Sequence, residues 1–244
     1  MKLPRAAWKL LRALAHALAG YWTILTLFPR ISQAEREMRV QVWSHRMLAL
    51  LGITLVVRGS PPTLGPVLLV ANHISWVDIA VMHAARYCRF VSKADVKRWP
   101  MIGTLATGVG TLYIERESRR DAMRMVHHMA ERLREGDVVA VFPEGTTSDG
   151  VTLLPFHANL IQAAISAAAP VQPVALQFID AATGQRSAAP CYVGDDTLLG
   201  SIWRTLSTSG IQAVVTFGEP QSSGGRDRRH WAQDLRRDVA ALRQ

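Results

Sequence analysis

The chain has 244 residues, 49% hydrophobic and 19% charged, which suffices for one sizeable core and excludes a disordered protein. Its 28 Lys and Arg against 19 Asp and Glu give a net charge of +9, which calls for an anionic partner: nucleic acid, a lipid surface or a small acidic substrate. Only two cysteines occur, Cys88 and Cys191, without Cys-x-x-Cys spacing, so a disulfide framework and a zinc ribbon are excluded and a reducing compartment fits.

The excess charge is local. Residues 1–60 hold nine basic and two acidic residues, residues 61–180 eleven of each, and residues 181–244 eight and six. The same first sixty residues carry an uncharged run, Ala13 to Pro29, containing Tyr21, Trp22 and Phe28, and a second apolar stretch, Met47 to Val57. Basic residues beside apolar and aromatic ones fit a bilayer interface better than a duplex groove. Each stretch falls short of the roughly 20 residues of a spanning helix. Residues 1–60 are therefore expected to form a membrane-associated two-helix segment, lying in one leaflet with Arg and Lys at lipid phosphates. A single crossing helix and a cleaved signal ending near Ala17-Leu18-Ala19 are the competing readings, the latter weakened by Arg12 and His16 inside its apolar part.

From Val67 onward, short apolar runs alternate with helical patterns, the signature of an α/β fold: a mixed, largely parallel sheet flanked by helices. Strands are predicted at Val67–Ala71, Arg89–Ser92, Thr111–Ile114, Val138–Phe142, Val171–Ile179 and Ala213–Phe217. Helices are predicted at Ser75–Ala85, Pro100–Ala106, Arg119–Glu135, Ala158–Ala168 and Arg226–Arg243. In the third of these, Met123, Val126, Met129, Ala130 and Leu133 recur at three and four, and Gly136 follows as a C-cap. The uncharged tract Gly150–Ile179 is broken by Pro155, Pro170 and Pro173 and reads as buried core. Residues 181–210 give no firm pattern. Nothing inside 61–244 argues for a second domain.

Three segments carry chemistry, each where a strand ends. In Asn72-His73-Ile74-Ser75-Trp76-Val77-Asp78, five helical residues would leave His73 and Asp78 roughly 140° apart. They meet only if His73 lies on the loop ahead of the helix and folds back. A carboxylate on one ring nitrogen then fixes the tautomer and leaves the other to take a proton. Ser75 and Asp78 would serve equally as a capping pair. The strand Gly110 to Arg116 ends in a guanidinium, whose planar fork suits phosphate oxygens; a surface ion pair with Glu115 and Glu117 is the plainer alternative. Phe142-Pro143-Glu144-Gly145-Thr146-Thr147-Ser148 is a strand followed by a turn, with Glu144 expected as an exposed carboxylate at the edge of His73. His127 and His128 are neighbours on a charged helix and point to different sides, which fits a solvated face better than a metal site.

Together with Pro170-Val171-Gln172-Pro173-Val174, these segments stand in the order and spacing of four blocks that the chain, from about Val67 to Leu176, shares with the glycerolipid (lysophospholipid) acyltransferases, which it resembles. The resemblance implies an O-acyltransferase domain over 61–244, with His73 as general base and Asp78 orienting it. The acceptor hydroxyl would attack an acyl thioester directly, without an acyl-enzyme. Arg116, Glu144 and Gly145 would bind the lysolipid, with Asn72 and Thr146 beside them. It implies no metal, no cofactor beyond acyl-CoA or acyl carrier protein as co-substrate, no nucleic acid, and attachment at the cytoplasmic face of the inner (plasma) membrane. The acceptor implied is 1-acylglycerol-3-phosphate, giving phosphatidic acid. Where the family often has Glu-Gly-Thr-Arg-Ser this chain has Thr147 in the arginine's place, a form that also resembles acyltransferases of other lysolipids, lyso-ornithine lipid among them. A serine hydrolase lacks its Gly-x-Ser-x-Gly here, and a nucleotide-dependent enzyme its glycine loops. A non-catalytic, membrane-attached lipid-binding protein explains the N-terminus but not His73, Asp78, Arg116 and Glu144 all falling at strand ends.

Overall fold

Strands buried on both faces need helices on both, and the apolar runs of this chain supply them. A computed structural model describes residues 2–114 and 119–244. Seven strands, β1 (Ile53–Arg58), β2 (Val67–Ala71), β3 (Arg89–Lys93), β4 (Leu112–Ile114), β5 (Val138–Val141), β6 (Val171–Asp180) and β7 (Ile211–Phe217), form one sheet in the order β1-β7-β6-β2-β5-β3-β4. Only the β6–β7 pair is antiparallel. The helices are α1 (Lys2–Thr26), α2 (Gln33–Leu51), α3 (Asp78–Ala85), α4 (Ile102–Gly108), α5 (Arg119–Arg134), α6 (Ala158–Ala167), α7 (Leu198–Ser207) and α8 (Arg228–Ala241). The mixed, largely parallel α/β sheet expected from the sequence is what the chain forms.

The period of two along each strand sorts side chains into two cores. On one face Leu69, Ala71, Ala140 and Leu176 pack with Val81 and Met82 of α3, Leu48 and Leu51 of α2, and Ala6 and Ala13 of α1. On the other, Leu68, Val70, Val139 and Val141 pack with Met129 and Leu133 of α5, Ile161 of α6, and Trp231 and Leu235 of α8. The apolar stripe of α5 is rotated from the predicted one. Met125 is buried and Met123 is 73% exposed, because the helix must present the side facing both β4 and α6.

The sharpest departure concerns the second apolar stretch, Met47–Val57, expected as part of a membrane-lying helix. It divides at Gly52, which ends α2 with φ at +82°, a conformation that costs glycine little. Residues after it form β1, paired in parallel with β7 from Ile53↔Ile211 to Arg58↔Thr216. The sheet thus starts inside the segment assigned to the membrane. Helix α2 itself begins well before that apolar stretch, at Gln33, where Ser32 and Glu35 form a reciprocal capping box.

α1 has two unlike sides. Ala6, Ala13, Ala17 and Gly20 are buried, while Trp8, Leu11, Leu14, Leu18, Trp22 and Leu25 form an exposed stripe opposite. His16 stacks on Trp43 of α2 with centroids 5.1 Å apart, and Trp43 Nε1–H donates to the His16 carbonyl at 3.1 Å. Lys9 Nζ donates to the Leu206 carbonyl of α7 at 3.2 Å. Residues Pro4–Arg30 are long and apolar enough to cross a membrane, yet one side is fastened to the domain.

Candidate active site

β2 and β5 are neighbours at the middle of the sheet, and both run toward the same edge. A loop after each therefore meets the other, at the carboxyl ends of strands where α/β sheets hold their ligands. The β2 loop carries His73 and the β5 loop carries Phe142 to Gly150.

Helix α3 begins at Asp78, three residues later than predicted, so Ser75 is not its N-cap; its hydroxyl instead accepts from Val77 N–H at 3.2 Å and donates to the Pro190 carbonyl. His73 lies on the loop ahead of the helix and folds back, placing Nδ1 2.7 Å from Asp78 Oδ2. The same oxygen accepts from Ile74 N–H at 2.6 Å and Ser75 N–H at 2.9 Å. Asp78 is fully buried. One carboxylate oxygen thus closes the turn and orients the imidazole, while the expected Ser75 cap of the helix does not form. With Nδ1 engaged, Nε2 is the nitrogen left for a proton, on a side chain 20% exposed.

The backbone of His73 is held from the β5 loop. Its N–H donates to Glu144 Oε1 at 2.7 Å, and its carbonyl accepts from Ser148 N–H at 2.8 Å and Ser148 Oγ at 3.0 Å. The ring lies flat against Phe142, centroids 4.0 Å apart and planes 4° from parallel, with Phe90 behind Phe142 at 5.4 Å. Phe142 was in the quoted segment, but nothing in its spacing singled it out. The signal was its place at the last position of a buried strand, beside the one that delivers the histidine.

Two residues expected to touch the lysolipid are buried. Glu144, expected exposed, is 4% exposed, and its second oxygen accepts from Leu154 N–H at 2.8 Å. Desolvation pushes its pKa above the ordinary 4.5, opposed by the two backbone donors. A carboxylate whose two oxygens each hold a backbone donor, with no open surface, braces the loops. Asn72 is also fully buried. Its amide oxygen accepts from Leu176 N–H at 2.7 Å and its Nδ2 donates to the Leu176 carbonyl at 3.0 Å, tying the loop to β6. Gly145 is half-buried with φ at +74°, and Thr146 is exposed, both at the edge shared with His73. Arg116 and Glu115 lie outside the described residues.

The tract that gave no pattern closes the site's other flank. The hydroxyl of Thr147 donates to the Tyr192 carbonyl, and Trp76 Nε1–H donates to Ser201 Oγ of α7 at 3.2 Å.

Against known proteins, the acyltransferase family model matches residues 54–177, about half of the chain. A lyso-ornithine lipid O-acyltransferase of Pseudomonas aeruginosa is 37% identical over 204 residues, covering 84% of this chain and 78% of that one. A 1-acyl-sn-glycerol-3-phosphate acyltransferase of Neisseria gonorrhoeae is 42% identical over 171 residues, covering 70% and 66%. The crystal structure of the 1-acyl-sn-glycerophosphate acyltransferase PlsC from Thermotoga maritima superposes with a TM-score of 0.65 at 20% identity, covering 96% and 98%, and shares the fold.

Proposed function

The chain belongs to the acyltransferase family, and from that premise we propose that His73 is its general base, moving an acyl group from a thioester of coenzyme A or a carrier protein to a lysolipid hydroxyl. The observation that carries this is the 2.7 Å contact between His73 Nδ1 and buried Asp78, which leaves Nε2 as the ring nitrogen free to take a proton. Nε2 takes the proton as the acceptor oxygen attacks the thioester carbonyl carbon. The new C–O bond forms, the C–S bond breaks, and the leaving sulfur recovers the proton from the imidazolium. The Asp78 charge stabilises that imidazolium, and the clamps on the His73 backbone keep its ring where the hydroxyl must come. His73→Ala is expected to lower turnover by about 10²-fold or more with unfolding unchanged, read by thiol release on adding lysolipid. Undiminished turnover would end this assignment.

The acceptor we propose is 1-acylglycerol-3-phosphate. A second reading, lyso-ornithine lipid, is favoured by Thr147, which stands where the family often has arginine and whose hydroxyl is occupied by Tyr192. Turnover with lysophosphatidate and lyso-ornithine lipid side by side decides between them.

The N-terminus supports attachment to one leaflet. α1 buries its Ala and Gly side on α2 and bonds α7 of the sheet domain through Lys9, which favours lying along the surface with only its outer stripe in lipid. The Trp8-to-Leu25 stripe then lies in the bilayer, and the basic excess of residues 1–60 suits the anionic lipids of the cytoplasmic leaflet.

A further inference from the structure

On the face of the sheet away from α1, two adjoining hollows of about 760 and 580 Å³ run between α5, α6 and α8 and share Gln162, Arg228 and Arg229. The larger is lined by apolar Met123, Val126 and Ala130 together with Arg134, Arg228 and Arg229 and has no acidic lining residue, whereas Asp227 lines the smaller. Arg228 and Arg229 are exposed and make no ion pair among the described residues, and they sit in the first turn of α8, where the helix dipole adds positive charge. The acids nearby are engaged: Asp227 caps α8 and pairs with His230, Glu131 pairs with His127, and Asp121 pairs with Arg124. Uncompensated cations around an exposed methionine fit an acidic amphipathic helix, its apolar side on the methionine and its carboxylates on the arginines.

The placement favours a soluble protein over lipid. The Trp and Leu stripe of α1 lies in the other helix layer, so with α1 in the bilayer this groove faces away from it. One end of the groove reaches the catalytic edge. Asn159 lines it, two residues beyond His157, whose N–H donates to the Pro143 carbonyl at 2.8 Å, next to Glu144. α5 starts directly after residues 115–118, which include Arg116.

We propose that this groove docks the acidic helix of an acyl carrier protein, so that the carrier's flexible arm brings its thioester to the edge held by His73. The proposal rests on the acyl-thioester reading above and names which donor the surface is built for.

The test compares a long-chain acyl carrier protein with the acyl-CoA of the same chain, using lysophosphatidate and the full-length detergent-solubilised enzyme, as wild type and Arg228→Glu/Arg229→Glu. The KM for the carrier thioester is expected to rise about tenfold or more and, in wild type, to rise with salt. The kcat and the KM for acyl-CoA should stay within about twofold, which also shows that the variant folds. The milder Arg228→Gln/Arg229→Gln pair should give an intermediate carrier KM. Equal changes for both donors, no change for either, or a wild type that uses acyl-CoA but not the carrier overturns the proposal and leaves the acyltransferase chemistry intact. Loss of binding to phosphatidylglycerol vesicles with the carrier KM unmoved overturns it too, and marks the arginines as a lipid contact. A wild type inactive with both donors on lysophosphatidate and on lyso-ornithine lipid alike strikes instead at the thioester reading.

Discussion

The His73 loop and the outer side of α1 serve function in opposite ways. At His73, ring Nδ1, the backbone N–H and the carbonyl each have a rigid partner: Asp78, Glu144 and Ser148. On the outer side of α1, Trp8, Leu11, Leu14, Leu18, Trp22 and Leu25 are left exposed. Proton transfer depends on a fixed direction, which a dense set of hydrogen bonds gives, whereas attachment to lipid depends on apolar surface left uncovered by the fold.

The comparison breaks first at Asp78. One of its oxygens, Oδ1, is buried without a partner, while Oδ2 holds two backbone donors. In Asp78→Asn the amide oxygen must therefore stay on the Oδ2 side, preserving the turn and removing only the charge. Turnover should fall about 10²-fold while the unfolding midpoint moves little. A midpoint collapse matching the loss would reduce Asp78 to a cap. The other side breaks in Trp8→Glu/Trp22→Glu, whose two residues are each 61% exposed. Binding to vesicles should drop about tenfold or more, with activity toward detergent-dispersed substrate kept. Unchanged sedimentation with vesicles would leave the stripe without its assigned role.

Phe142→Leu sharpens the first side. Losing the flat contact that holds the imidazole should lower kcat by several-fold, on the order of 1 kcal/mol, with both KM values steady and with loss of the ring-current shift on the His73 proton resonances. A change confined to KM would make Phe142 part of a substrate wall. The smallest effect is expected at Glu144. Its folded pKa stands above 4.5, so the folded chain holds that proton more tightly than the unfolded one. Its contribution to stability therefore grows as pH falls from the raised value toward 4.5 and is lost as pH rises through it. Glu144→Gln has no such proton. The wild-type advantage over it should grow as pH is lowered across that window in denaturant titrations, and an advantage that shrank instead would contradict the burial.

Sequence alone determined the strands from β2 onward, because most are short apolar runs bounded by polar turns, and the pairing of His73 with Asp78, because the two fit together only with the histidine outside the helix. It missed β1, since an apolar run following a helix looks the same whether it continues the helix or crosses to a sheet; only β7, about 160 residues away, supplies the hydrogen bonds that make it a strand. Tertiary structure alone decided that Glu144 and Asn72 brace the site. Their residue types suit substrate and scaffold equally, and burial, which the chain acquires only when the loops after β2 and β5 close on each other, chooses between them. It decided likewise that α1 keeps one side on the protein. Helix periodicity marks which residues share a side, but not what that side meets.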